Sequence, residues 1–347
     1  MERRPTLHDV AGEAGVSAKT VSRVLNGDGP VAAATRERVL AAVRRLGFRP
    51  NLMARSIRTG GPDSTVGLVL PDLGNPFFGA LAGGVEEAVR GRGLTVLLGC
   101  SGGDGAREAE VVGAFLARRT SALLVVPSGG RPGGGPGSRP GSRPGGRPGG
   151  EPLAAARAAG VPLVYLDRPG PGADCVVSSN RAGAREGVAH LLGAGHRRVG
   201  FLGDLPASMY TRRERLAGWR EALAAAGLPA PAELVAGART VAEAERATLA
   251  LLARPAPPTA LFASNVTAAT GAVLALGRSG RRDVALLSFD DLPLAEVLDP
   301  PLSAVAQDPA LLGATAARLA LARLDGDATP PRTETVPTRL VLRAARG

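Results

Sequence analysis

Residues 6–26 read TLHDVAGEAGVSAKTVSRVLN, and this stretch predicts two short helices joined by a turn. Thr6-Leu7-His8-Asp9 has the spacing of a helix-capping box, so a first helix is expected over 7–14. Gly15 supplies the turn before a second helix over 17–25, which the serine at its start caps.

A third helix is expected after Asn26-Gly27-Asp28-Gly29-Pro30 breaks the chain. It covers 33–46, and Gly47 follows it as the residue that ends the helix. The second and third helices each carry an apolar stripe, formed by Val21, Val24 and Leu25 and by Val39, Ala42, Val43 and Leu46. Two short helices around a glycine, completed by a third, form the helix-turn-helix plan.

The positive charge of the chain is concentrated in two places. The 347 residues carry a net charge of +11, of which residues 1–62 hold +6 and residues 128–152 hold +3. A bias in genome composition explains why arginine is used in place of lysine, but it does not explain why the positive charges cluster. A basic head on a nearly neutral body indicates that the head binds a polyanion.

The solvent face of the second helix is the part expected to enter a major groove. It presents Ala18, Lys19, Ser22 and Arg23. Lys19 and Arg23 can each donate to guanine O6 and N7, and the Ala18 methyl can pack on a thymine methyl. The alternative for Lys19, the only lysine in the sequence, is an ordinary solvated cation.

The order of these motifs resembles the DNA-binding head of the LacI/GalR family of bacterial transcription regulators. The blocks are TLHDVA, GVS, TVSRVLN, TRERV and RPN, and the stretch 51–58, NLMARSIR, resembles the family's hinge helix. In the family this helix orders on DNA and wedges an apolar residue, here Ile57, into the minor groove. One departure is Ala32, where the family usually has a serine cap.

The resemblance and the exposed helix face together give a set of expected DNA contacts. They are Thr6, Ser17, Ala18, Lys19, Thr20, Ser22, Arg23, Asn26, Asn51, Ala54, Arg55, Ile57 and Arg58.

Beyond the head, short β-rich runs alternate with helical stretches. Strands are expected at 66–70, 95–98, 122–126, 163–166, 198–202, 260–263 and 284–288, with helices between them. This order predicts an α/β fold of parallel doubly wound sheets in two lobes around a cleft. It resembles the periplasmic-binding-protein-like core of the same family.

The predicted domains follow from this alternation. Residues 1–50 form the head, 51–62 the hinge helix and linker, and 63–347 the effector-binding and dimerisation core. The first lobe is expected to take about 63–166 and 303–324, and the second about 167–302 and 325–347. Residues 128–152, rich in Gly, Pro and Arg, are expected to be a disordered insertion, either retained by drift or in loose contact with DNA.

Most effector-binding candidates lie just after the predicted strands, because ligands bind at the carboxyl ends of parallel strands, and Arg215 opens a helix. The candidates are Asp72, Asn75, Phe77, Phe78, Asp167, Arg168, Asn180, Arg215, Asn265 and Asp290. The resemblance to the family implies effector contact for all of them except Asp72, Phe78 and Asn180. Polar groups with an aromatic wall suit a sugar. An ordinary turn or capping role remains open for each residue. The family usually follows Asn265 with aspartate, and position 266 is Val, which leaves an effector-independent DNA binder with a degenerate pocket as the alternative.

The remaining features exclude other classes of protein. The sequence lacks Walker, HExxH and convincing GxSxG motifs, its two cysteines lack metal-site spacing, and no apolar run is long enough to span a membrane. We therefore predict no catalysis, no cofactor, no metal and no membrane association. The expected protein is a cytoplasmic, homodimeric or larger repressor that binds a double-stranded DNA operator under control of a small carbohydrate.

Overall fold

The computed structural model describes residues 5–26, 29–48, 64–128 and 150–344. The chain divides into two units, Met1–Asp63 and Ser64–Gly347, next to the predicted start of the core at residue 63. The predicted hinge helix at 51–58 and most of the predicted insertion lie outside the described residues.

The first unit contains the three predicted helices of the head. They are α1 Leu7–Ala14, α2 Ala18–Asn26 and α3 Ala33–Leu46. Gly15 and Gly47 both adopt the left-handed conformation that ends a helix. The predicted apolar stripes form a small shared core, in which Val10, Val21 and Val39 are fully buried. The helix-turn-helix prediction is confirmed.

The first lobe of the second unit is built on a parallel sheet. Its strands are β1 Thr65–Leu70, β2 Thr95–Cys100, β3 Ala122–Val125, β4 Leu163–Leu166, β5 Asp174–Ser178 and β11 Thr333–Val336. Within the described residues their order is β11-β5-β4-β3-β1-β2, and every neighbouring pair is parallel. Its helices are α4 Pro76–Arg90, α5 Gly105–Ala117, α6 Gly150–Ala158 and α11 Pro309–Leu324. α4 and α11 contribute to one core cluster, and α5 and α6 to another.

The second lobe repeats this plan. Its strands are β6 Val199–Asp204, β7 Val235–Ala238, β8 Ala260–Ala263, β9 Ala285–Phe289, β10 Ser303–Ala306 and β12 Arg339–Val341. The sheet order in the described chain is β12-β10-β9-β8-β6-β7, and only the pair of β10 with β12 is antiparallel. Its helices are α7 Asn180–Gly193, α8 Tyr210–Ala225, α9 Val241–Leu252 and α10 Val266–Ser279. The predicted two-lobed, doubly wound α/β fold is confirmed.

The predicted lobe boundaries are wrong at three strands. β5 pairs with β4 and β11 pairs with β5 in the first sheet, although the prediction assigns 167–302 and 325–347 to the second lobe. β10 pairs with β9 in the second sheet, although 303–324 was predicted in the first lobe. Strand pairing between segments distant in sequence fixes these assignments, and local residue patterns do not encode it.

The predicted disordered insertion also ends earlier than expected. α6 begins at Gly150, inside the predicted segment 128–152. Proline is tolerated in the first turn of a helix, so Pro152 does not prevent this start. Leu153 and Ala156 are buried in the first lobe and hold the helix in place. Residues 129–149 lie outside the described chain.

Candidate functional site

The outer face of α2 carries the basic side chains predicted to read DNA. Lys19 and Arg23 are both exposed and lie four residues apart, on one side of the helix. Val21 and Val24 occupy the opposite side and are buried in the head core. Ser22 is half-buried between the two faces. The apolar side thus anchors the helix and leaves its cations facing solvent.

Several other predicted DNA contacts have structural roles in the head. Thr6 accepts a hydrogen bond from the Asp9 amide at 3.3 Å, and its own amide donates to the Asp9 carboxylate at 2.7 Å, which completes the capping box. The Ser17 hydroxyl accepts from the Thr20 amide at 3.2 Å. Ala18 packs against the head core, so its methyl is less available to a base than predicted.

Part of the predicted DNA interface is not described. Asn26 is the last residue of α2, and its side chain lies outside the described part. The hinge contacts Asn51, Ala54, Arg55, Ile57 and Arg58 also fall outside the described residues. The DNA-contact assignments therefore stay predictions.

The start of α3 lacks the side-chain cap that α1 has. Ala32 occupies the N-cap position and makes no side-chain hydrogen bond to the first turn. We predict that Ala32→Ser stabilises the head by about 1 kcal/mol, because the hydroxyl can accept from a first-turn amide. Hydrogen exchange of the α3 amides in the full chain measures this gain. Ala34→Ser, inside the first turn, is the control and is expected to give none.

In the second unit, the polar side chains meet at the carboxyl ends of strands. Asp167 and Arg168 follow β4, Asp204 ends β6, Asn265 follows β8 and Asp290 follows β9. Asp167, Asn265 and Asp290 are each less than 9% exposed. The charges of Asp167, Arg168 and Asp290 all act on Asp204, so groups from both lobes lie close together.

Arg215 is the buried cation of this group. It is 3% exposed, and its guanidinium lies 3.8 Å from the centre of the Phe289 ring. Its Nε donates to Asn180 Oδ1 at 2.7 Å, and its Nη1 donates to the Ser264 carbonyl. Asn180 also donates to the Ser178 carbonyl at 3.1 Å. Asn180 therefore positions Arg215, which is a different role from the predicted effector contact.

Burial opposes the charged form of two carboxyl groups at the site. Burial raises the pKa of Asp290, and the Arg215 charge and a hydrogen bond from Gln307 offset this only in part. Burial likewise raises the pKa of Asp204, against the opposing charges of Arg215 and Arg168. Since each group faces other carboxylates, a ligand that donates hydrogen bonds would stabilise their ionised forms.

Two of the site aspartates have backbone conformations that are unfavourable for non-glycine residues. Asp167 has φ +62° and Asp290 has φ +82°. Each amide donates to a carbonyl of the neighbouring strand at 2.9 Å, Asp167 to Val176 and Asp290 to Val305. Backbone strain of this kind costs about 1–3 kcal/mol per residue and is concentrated at functional sites.

Arg168 connects the site to the loop after β3. Its Nε lies 3.3 Å from the Asp167 carboxylate, and its Nη1 donates to the Pro127 carbonyl at 3.0 Å. The neighbouring Ser128 amide donates to Glu108 at 2.6 Å. These contacts hold the predicted effector residues Asp167 and Arg168 in fixed orientations.

The candidates after β1 have local roles. Asp72 accepts from the Asn75 amide at 2.9 Å, and Asn75 caps α4 by accepting from the Phe77 amide at 3.0 Å. Phe77 and Phe78 are 9% and 5% exposed and form an edge-to-face pair in the first-lobe core. Both rings are therefore part of the core packing. Their predicted role as an aromatic wall for a sugar stays a prediction.

Two site residues were missed in the sequence. Asp204 is separated from the predicted strand 198–202 by one glycine. It therefore also fits the rule that ligand-binding residues come just after strands. Gln307 follows β10, which was not predicted as a strand, and its side chain donates to Asp290. Gln307 Oε1 is buried without a hydrogen-bond partner among the described residues.

Val266 occupies the position where the resemblance to the family predicts an aspartate. It is the first residue of α10, directly after Asn265, which caps that helix by accepting from the Ala268 amide at 2.7 Å. The Val266 backbone lowers the pKa of the buried Asp290, but burial has the larger and opposite effect. The Val266 side chain, however, offers no hydrogen-bonding group to a ligand.

In the described parts of the chain, no cluster of three His, Cys, Asp or Glu side chains could hold a metal ion. No described helix combines the length and the apolar character that a membrane span requires.

Comparisons with known proteins match both units of the chain. The model for bacterial regulatory proteins of the lacI family matches residues 6–51, and the model for the periplasmic binding protein-like domain matches residues 188–345. The regulator CelR of Thermobifida fusca is 35% identical, over 98% of each chain. The chain belongs to the LacI family.

Other LacI family members extend this similarity. The regulator GalR of Escherichia coli is 31% identical over 97% of this chain and 94% of its own. The structure of the Lac repressor dimer bound to operator and the anti-inducer ONPF matches 99% of each chain, with a TM-score of 0.82 and 28% identity. A CelR–cellobiose complex matches 99% of this chain and 100% of that one, with a TM-score of 0.69 and 32% identity.

Proposed function

We propose that this LacI family member is a dimeric transcriptional repressor that binds an operator through α2. A small carbohydrate lowers or raises its affinity for that operator. The observation that carries the proposal is the exposed pair Lys19 and Arg23 on the outer face of a helix-turn-helix. Two copies would place two such helices in major grooves about one helical turn apart.

The DNA contacts divide into two kinds. Lys19 and Arg23 would donate to guanine edges and read sequence, while Arg36, Arg38 and Arg44 on α3 would contact phosphates. The hinge residues around Ile57 would enter the central minor groove and bend the operator.

The effector assignment rests on the polar cleft of the second unit. Asp167 and Asp290 supply acceptors, Arg215 and Asn265 supply donors, and such groups bind sugar hydroxyls. The matching CelR structure is a complex with cellobiose, which supports this class of ligand. Ligand binding would change the lobe arrangement and so operator affinity by a coupling of about 1–3 kcal/mol.

A second candidate function is an effector-independent DNA binder. Val266 favours it, because the side chain there supplies no group for a ligand hydroxyl. Calorimetric titration with sugars separates the two functions, since the degenerate pocket would bind none.

We further infer that the protein acts in the cytoplasm and performs no catalysis, in keeping with its regulator relatives.

Removal of a reading side chain is expected to relax base preference. We predict that Lys19→Ala and Arg23→Ala each lose about 1–3 kcal/mol of discrimination at one base pair of each half-site. A binding-site selection from randomised DNA, performed with the full chain, measures this loss position by position.

The control for this experiment is Arg44→Ala, an exposed cation on α3. It is expected to weaken binding to all sequences alike and to reduce the salt dependence, because a phosphate contact carries no base information. Unchanged selectivity in both α2 variants would overturn the assignment of α2 as the reading helix.

A further inference from the structure

Asp204 is the carboxylate of the cleft that no predicted role accounts for. It is the last residue of β6, and β6 pairs directly with β8, the strand that leads into Asn265. The Asn265 side-chain amide donates a hydrogen bond to the Asp204 carboxylate. The two side chains are therefore neighbours in space although 61 residues separate them in sequence.

Asp204 also lies among the charged groups of both lobes. Arg168 and Asp167 act on it from the first lobe, and Arg215 and Asp290 act on it from the second. Within the described residues no cationic nitrogen lies within 4.0 Å of its carboxylate, whereas Arg168 Nε lies 3.3 Å from the Asp167 carboxylate. A half-buried carboxylate at the centre of these charges and without a close cation has unused capacity to accept hydrogen bonds.

The neighbouring position 266 lacks a carboxylate. Resemblance to the family leads one to expect aspartate after Asn265, and this chain has Val266. Asn265 nevertheless has a carboxylate beside it, because Asp204 reaches it from the adjacent strand end. The same pair of functional groups is thus assembled from two strands.

We propose that Asp204 supplies the carboxylate that binds an effector hydroxyl, in place of the one missing at position 266. The inference rests on the proposed carbohydrate effector and specifies how the cleft holds it. Asn265 Oδ1 is used by the Ala268 amide and one amide hydrogen by Asp204, which leaves the second amide hydrogen to donate. A donor beside an acceptor fits two adjacent hydroxyl groups of a neutral sugar.

The test is calorimetric titration of the full chain with cellobiose, maltose, galactose and ribose at neutral pH. For the sugar that binds tightest, Asp204→Asn is expected to weaken binding by about tenfold or more, because it replaces a charged hydrogen-bond acceptor with a neutral amide oxygen. Adding Val266→Asp to that variant is expected to recover most of the lost affinity. A purely structural role for Asp204 would not produce this rescue.

The control variant is Asp283→Asn, an exposed carboxylate just before β9, at the amino end of its strand, away from the cleft. It is expected to bind like the wild type. The ligand-free melting temperature of Asp204→Asn should not fall, because burial already disfavours the charged form of this side chain. If that variant does not fold, Asp204→Ser keeps an acceptor for Asn265 and gives the same comparison.

The outcomes separate the two proposals. If the wild type binds a sugar and both Asp204→Asn and Asp204→Ser change the affinity by less than about twofold, the role of Asp204 is overturned. The proposal of a carbohydrate effector then still holds. A loss of affinity that Val266→Asp does not restore also overturns the replacement of one carboxylate by the other. If the wild type binds none of the four sugars, the proposed effector class is wrong, and the role of Asp204 falls with it.

Discussion

Gly84→Ala is expected to destabilise the first lobe by about 3 kcal/mol or more, because α4 and α11 pack there with their backbones in direct contact. A Cβ atom on Gly84 would lie 2.0 Å from the carbonyl oxygen of Ala310. Gly313 makes the reciprocal approach, with a Cβ position 2.1 Å from the carbonyl oxygen of Leu81. Since both obstacles are backbone atoms, the helices themselves would have to separate.

The matched control is the adjacent residue on the same helix. A Cβ on Gly83 meets nothing within 4 Å, so Gly83→Ala should stabilise by about 0.5–1 kcal/mol through helix propensity alone. Equilibrium unfolding in denaturant compares the two variants. Equal midpoints would contradict the close packing of α4 against α11.

This helix pair also matters for the cleft. Asn75 caps the start of α4, and α11 begins two residues after Gln307, which donates to Asp290. A shift of either helix would therefore move groups at the carboxyl ends of both sheets. We expect Gly84→Ala to impair the response to effector as well as stability.

Arg323→Met should cost about 3–5 kcal/mol, because it leaves a buried carboxylate without its cation. Asp174 is 2% exposed and accepts from Arg323 Nε at 2.7 Å and Nη2 at 2.9 Å, and from the Arg332 amide at 2.9 Å. Arg323 lies near the end of α11, and Asp174 begins β5. The ion pair therefore connects α11 to β5 of the first sheet.

The comparison variant is Arg92→Met, which breaks an ion pair of the same kind at the surface. Arg92 and Asp325 are 50% and 55% exposed, so the expected loss is below about 1 kcal/mol. Thermal unfolding of both variants measures the contrast. Similar losses in the two would mean that burial does not set the strength of the Arg323 pair.

The stability difference between wild type and Arg323→Met should also depend on pH. Burial raises the pKa of Asp174, but the hydrogen bonds and charges of Arg323 and Arg332 outweigh it and hold the pKa below its ordinary value of 3.8. A depressed carboxyl pKa contributes stability above the ordinary value, and this is lost as the pH falls through the lower one. The difference should therefore be full above about pH 4 and shrink below it.

The head could be predicted closely from the sequence because its structure is set by local interactions. The capping box at Thr6, the left-handed glycines at 15 and 47, and the spacing of Val21 and Val24 all act within a few residues. Such contacts appear as patterns in the sequence. The missing cap at Ala32 could be identified for the same reason.

The candidate site was predicted only in part. The rule that ligands bind after strands found Asp167, Asn265 and Asp290, which the structure brings together. It could not show that Asn180 is committed to Arg215 or that Phe77 and Phe78 fill a core, because those contacts depend on packing between distant segments. Asp204 satisfies the same rule, because it lies one glycine beyond the predicted strand 198–202.

By itself, the sequence determined the helix-turn-helix, its exposed cations and the alternation of strands and helices, since helix caps and hydrophobic periodicity are local properties. The tertiary structure alone decided which lobe β5, β10 and β11 join, since hydrogen bonding between distant strands fixes this. It also decided which carboxylate stands beside Asn265. That carboxylate is Asp204, which belongs to the neighbouring strand β6, because residues far apart in sequence meet where parallel strands end.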